Sequence, residues 1–182
     1  MVMRGNTSPH ARSRTPCVTG EAVGPGAVPI TLEVNGILRA LPVCPGATLA
    51  EVLRDQLQLT GTKIACDRGA CSACTVRLNG TPVCSCMVLA IEVNGAKIDT
   101  IEGVAGETLH PVQAAFLEHD AIQCGFCTPG LIMSCVALLE STPHPSEEEV
   151  KAALGGHLCR CGTYPHVIAA VLHAAQTSKR RP

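Results

Sequence analysis

The stretch Gln123-Cys-Gly-Phe-Cys-Thr-Pro-Gly130, answered by Cys159-Arg-Cys161, decides how the second half of this chain is read. Thr128-Pro129 reads as a helix N-cap followed by proline at the first helical position, which sets Cys124 and Cys127 at a helix N-terminus. Free amide donors and the positive end of the helix dipole favour thiolate there. The answering pair is separated by one residue, which on a helix would send the sulfurs to nearly opposite sides, so it belongs on irregular chain. The spacing C-x2-C-x31-C-x-C thus offers four convergent sulfurs.

The first half offers four more in a different spacing. Gly61-Thr-Lys-Ile-Ala-Cys66-Asp-Arg-Gly-Ala-Cys71-Ser-Ala-Cys74 precedes a strand Thr75–Leu78, a turn at Asn79-Gly80 and a strand Thr81–Cys86. C-x4-C-x2-C with a further cysteine after a hairpin is the spacing of plant-type [2Fe-2S] ferredoxins. A short loop supplies three thiolates there and turns backbone N–H groups toward anionic sulfur, with Gly69 allowing close approach. Zinc is the other reading of a cysteine quartet, but its sites come as two short knuckles rather than a run of three. Spacing leaves the fourth ligand open, because Cys84 and Cys86, two apart on a strand, share a face.

The totals agree with a chain that can bury real cores. In 182 residues, 46% are apolar, enough for real cores, yet there is no Trp, one Tyr and two Phe. The stacking surfaces that hold single-stranded nucleic acid are therefore missing. The formal charge of -1 hides an acidic body, with eight basic against fourteen acidic residues between 22 and 178, so no nucleic-acid partner is expected. Twelve cysteines in a secreted chain would suggest disulfides. Residues 1–29 have no apolar signal core and no run approaches a membrane span, so a cytoplasmic protein without membrane insertion is expected. In a reducing compartment clustered cysteines bind metal or do redox chemistry.

Taken in order, residues 1–27 read as a disordered arm, with Cys17 a free thiol. Val28–Val34 and Ile37–Val43 form a hairpin through Asn35-Gly36. Thr48-Leu-Ala-Glu51 is a capping box opening a helix to about Leu57. Lys97–Ile101 closes a small mixed sheet, and after Gly103 the hydrophobic period changes from two to about 3.6. Helices are expected over Pro111–His119, Pro129–Glu140, Ser146–Leu154 and Tyr164–Thr177, with Ser146 and Glu149 as a second capping box and Cys135 in the core. The fold class is α+β, with units at 28–103 and 104–177 and a basic tail at 178–182.

The motifs GTKIACDRGACSACTV, SCMVLA, QCGFCTPG and LCRCGTY together resemble the small iron–sulfur subunit of the molybdenum hydroxylases, the family of xanthine dehydrogenase, aldehyde oxidoreductase and aerobic carbon monoxide dehydrogenase. The resemblance covers about residues 28–175. It implies a β-grasp ferredoxin domain holding one [2Fe-2S] cluster on Cys66, Cys71, Cys74 and Cys86, and a four-helix domain holding another on Cys124, Cys127, Cys159 and Cys161. The choice of Cys86 over Cys84 comes from it. Gln123 and Cys161 match positions that contact the pterin of a large molybdopterin subunit. Electrons would pass from that subunit through the helical-domain cluster and then the ferredoxin-domain cluster to FAD on a medium subunit or another acceptor. The sequence shows no catalytic base or nucleophile, and the other function considered is a stand-alone two-cluster electron carrier.

The chain departs from the family pattern at three places. Ser72 stands where Gly is usual, His157 where Asn is usual, and Gly162-Thr163 where the order is Thr-Gly. A hydroxyl at 72 is expected to reach a cluster sulfur, and His157 is expected to be a surface or capping imidazole. Arg68 and Arg160, between ligands, are candidate counter-charges.

Overall fold

The computed structural model describes residues 26–177; Cys17, nearly all of the N-terminal arm and the basic tail lie outside them. Strand β1 (Val28–Val34) buries Ile30, Leu32 and Val34 on one face, as period-two alternation requires. It returns as β2 (Ile37–Val43) through Asn35 and Gly36, whose φ values of 51° and 77° suit a two-residue turn with both residues left-handed. Asn79 and Gly80, at 50° and 85°, repeat the device between β3 (Thr75–Leu78) and β4 (Thr81–Cys84).

With β5 (Lys97–Asp99) these strands make one five-stranded sheet in the order β2-β1-β5-β3-β4. Only β1 and β5 run parallel, so the sheet is mixed. The short helix α1 (Leu49–Glu51) continues as a π-helical turn, Val52–Gln56. It buries Leu49, Val52 and Leu53 against Leu32, Val76 and Ile98 of the sheet. The Thr48 hydroxyl accepts from Glu51 N–H at 3.2 Å and the Glu51 carboxylate accepts from Thr48 N–H at 2.9 Å, completing the expected box.

The second half is helical: α2 (Pro111–Glu118), α3 (Thr128–Ser141), α4 (Glu147–Leu154) and α5 (Tyr164–Thr177). Phe116, Leu131, Cys135, Val150, Val167 and Val171 form its core, and Ala170 and Ala174 let α5 approach closely. Cys135 is the buried core thiol expected of it, with burial pushing its pKa up to about 12.

The two halves touch through polar as well as apolar groups. Arg77 of β3 pairs with Glu140 of α3 at 2.6 Å and with Asp99 of β5 at 3.1 Å. The Leu158 amide donates to the Cys71 carbonyl at 3.1 Å, and Ser72 Oγ donates to the Gly156 carbonyl at 3.0 Å. No helix among the described residues is long and apolar enough to cross a membrane.

Candidate metal centres

The first thiol loop owes its shape to left-handed residues, with φ of 55° at Asp67, 71° at Gly69 and 57° at Ser72. These reversals turn main-chain N–H groups inward. Ala70 N–H donates to Cys66 Sγ and Gly69 N–H donates to Cys86 Sγ, each at 3.3 Å. Burial opposes thiolate at Cys66, but the Arg68 amide, the Cys71 thiol and the amides of Ala70 and Cys71 outweigh it, drawing its pKa down to about 7. Cys74 goes the other way, to about 12, through burial and its neighbours Cys86 and Cys84.

Cys86 reaches this loop by a route the sequence did not suggest. Strand β4 ends at Cys84, and Ser85–Met87 form a 3-10 turn. Ser85 folds inward, its N–H and hydroxyl both donating to the Cys74 carbonyl, at 3.3 and 2.6 Å. That turn carries Cys86 to Cys74, while the Cys84 thiol faces Ser72 Oγ at 3.7 Å and the Gly69 carbonyl at 3.9 Å. The shared strand face expected for the two cysteines does not exist.

At the second site the helix begins one residue earlier than its sequence signals. Cys127 is the N-cap of α3, its carbonyl accepting from Leu131 N–H at 3.1 Å, and Thr128 is already helical. Thr128 is buried, and its helical backbone leaves the capping position to the cysteine. Cys159 and Cys161 lie on the irregular chain before α5, as expected. Burial disfavours thiolate at Cys159, yet the Thr163 hydroxyl and amide, the Cys127 thiol and the Gly162 amide bring it down to about 7. Burial and the Cys159 thiol push Cys127 up to about 12.

Each thiol has others beside it: Cys66 neighbours Cys71, Cys74 neighbours Cys86 and Cys84, Cys127 neighbours Cys159 and Cys124, and Cys161 neighbours Cys124 and Cys159. Among the described residues no three His, Cys, Asp or Glu side chains converge as a single ion would need. Gln123, Cys124 and Arg160 are exposed, as is Arg68. Phe126 and Leu158, 47% and 61% exposed, add an apolar rim beside the second set.

His157, expected at the surface, and Ser72, expected to reach a cluster sulfur, both lie at the junction of the halves. His157 is 5% exposed rather than at the surface. Its Nε2 lies 2.8 Å from Ser134 Oγ, and its Nδ1 has no hydrogen-bond partner among the described residues. Desolvation lowers its pKa to about 4. The Ser72 hydroxyl is spent on Gly156 and not on a candidate ligand sulfur, because the 156–158 segment passes directly over it. Both side chains line a cavity of ≈ 180 Å³ shared with Cys84 and Ser134.

Two family models match the chain in series. Residues 32–99 match the family described as 2Fe-2S iron-sulfur cluster binding domain, and residues 100–172 the one described as [2Fe-2S] binding domain. The nicotine 6-hydroxylase small subunit of Paenarthrobacter nicotinovorans is 47% identical over 81% of this chain and 89% of its own length. The aldehyde oxidoreductase iron-sulfur-binding subunit of Escherichia coli K12 is 42% identical over 83% of this chain and 73% of its own. Among solved structures, quinoline 2-oxidoreductase from Pseudomonas putida 86 superposes with a TM-score of 0.82 at 39% identity, over 86% of this chain and 98% of that one. The aldehyde oxidoreductase of Desulfovibrio desulfuricans superposes at 0.80 with 44% identity, and the match takes up 17% of that longer chain. With near-full-length relatives at these identities and two cluster-domain matches in series, the chain belongs to the family of small iron–sulfur subunits of the molybdenum hydroxylases.

Proposed function

We propose that this chain is the electron-transfer subunit of a molybdenum hydroxylase, with one [2Fe-2S] cluster on Cys66, Cys71, Cys74 and Cys86 and another on Cys124, Cys127, Cys159 and Cys161. The observation that carries this reading is the gathering of four thiols at each of two sites, the first with the Gly69 and Ala70 amides donating to Cys86 and Cys66 sulfur, within two cluster-domain matches in series. Four thiolates per site suit a two-iron cluster, and the C-x4-C-x2-C loop has the ferredoxin spacing, whereas structural zinc sites come as two short knuckles. When bound, the clusters supply one-electron acceptance and release, linking a molybdopterin site on a large subunit to FAD on another subunit or to a different acceptor.

The chain's own residues have three tasks in this reading. The loop amides of Gly69 and Ala70 offset thiolate charge at the first site. Burial of Cys71, Cys74 and Cys86 keeps water from their sulfurs. Around the second site, exposed Gln123, Phe126 and Leu158 offer a face for the large subunit, with Gln123 and Cys161 toward its pterin. The finer fold assignment goes with it: a β-grasp domain over 28–103 and a four-helix domain over 104–177. A cytoplasmic setting suits so many free thiols.

The test is an iron, sulfide and molybdenum assay with reduced-state EPR on natively purified protein and whatever follows it through the column. About four irons and four sulfides per chain, two distinct signals and molybdenum on a co-eluting larger subunit are expected. Both clusters without a partner would instead identify a free electron carrier, and zinc without iron would overturn the assignment. Gln123→Ala should weaken association with the molybdenum subunit and leave both EPR signals in place; unchanged association and turnover would remove Gln123 from the contact.

A further inference from the structure

Thr163 holds an unusual position beside the second thiol set. Its carbonyl accepts the first main-chain bond of α5, from Val167 N–H at 3.0 Å, so it stands where a threonine hydroxyl ordinarily caps first-turn amides. Pro165 removes one of those amides. The hydroxyl turns back to Cys159 instead, with Oγ1 3.5 Å from Sγ. Thr163 is 3% exposed, so bulk water does not compete for that hydroxyl.

Cys159 is also fixed from its other side. Tyr164 Oη accepts the Cys159 N–H at 2.7 Å and donates to the His157 carbonyl at 3.0 Å. Adjacent residues 163 and 164 thus hold the sulfur and the amide of one cysteine. The order Gly162-Thr163 matters here. Position 162 is exposed with φ of 76°, so a hydroxyl placed there would leave the buried site beside Cys159 Sγ without this donor.

A thiolate can only accept, so the threonine hydroxyl donates. Donors to ligand sulfur stabilise the more negative, reduced state and raise the reduction potential. Resting on the second-quartet assignment above, we propose that the Thr163 hydroxyl is a tuning donor to Cys159 Sγ that raises the potential of the cluster held there. No other cysteine of that set has a side-chain hydroxyl within hydrogen-bond reach among the described residues.

The test is an EPR-monitored reductive titration of the holoprotein as wild type, Thr163→Val and Thr163→Ser. Valine keeps the shape and removes the donor; serine keeps the donor. In Thr163→Val one potential should fall by about a tenfold shift in its reduction equilibrium, ~59 mV for a one-electron couple, with the other unmoved. Thr163→Ser should retain the wild-type value. Thr163→Ala serves in the same role if the valine protein loses its second cluster. Equal potentials in wild type and the variants lacking the hydroxyl overturn the inference alone. So does a serine protein that shifts as far as valine, since packing would then be the cause. A wild-type protein without a second cluster overturns the quartet assignment as well.

Discussion

Cys84 and Cys86 are two positions apart, and their sulfurs meet different groups. Cys86 Sγ accepts the Gly69 amide and lies against Cys74, which is what a ligand thiolate needs. Cys84 Sγ faces a hydroxyl and a carbonyl at 3.7 and 3.9 Å, contacts that suit a neutral thiol. In Cys86→Ser the first cluster's EPR signal should disappear with the second retained, while Cys84→Ser should keep both. The opposite pattern would exchange the two cysteines' roles. Spacing alone could not separate them, because the choice is made by Ser85 turning inward onto the Cys74 carbonyl, a contact across the hairpin.

Among the elements, those closed by local chemistry were readable in the sequence. Asn35-Gly36, Asn79-Gly80 and the two capping boxes act within four residues, and each forms as its residues dictate. The thiol loop was readable for the same reason, since its reversals lie between its own cysteines. His157 and Ser72 were misread because their partners lie 23 and 84 residues away, where no periodicity reaches. Helix α4 gives the clearest local test. Ser146 N–H and Oγ donate to the Glu149 carboxylate at 2.7 and 3.0 Å, and these bonds lower its pKa. A depressed folded pKa means that this stability is present above the unfolded value of 4.5 and is lost as pH falls below it. Ser146→Ala should lower stability by about 1 kcal/mol near neutrality. The gap in melting temperature between the two proteins should narrow below pH 4.5; a constant gap would show that the carboxylate takes no part.

At the scale of the whole molecule, the two thiol sites share a backbone contact that leaves no room for error. Gly130, in the first turn of α3 beyond Cys127, lies against the loop between Cys71 and Cys74. A Cβ there would sit 2.4 Å from the Ser72 carbonyl oxygen and 3.2 Å from that of Ala73. Those oxygens cannot retreat freely, because the Ser72 carbonyl also accepts from Thr75 N–H and Oγ1, at 3.2 and 2.7 Å. Ser72 Oγ and the Cys71 carbonyl, in turn, tie the same loop to the segment leading into Cys159. Gly130→Ala must therefore push the loop and the start of α3 apart, costing about 1–3 kcal/mol. Because each moving part carries cysteines of a different site, both EPR signals should change together. Gly106→Ala, where a Cβ meets nothing within 4 Å, is the control and should change neither. If Gly130→Ala altered one signal alone, the contact would be a local feature of that site; if both shifted with a lowered unfolding midpoint, the two sites would be built as one mechanical unit.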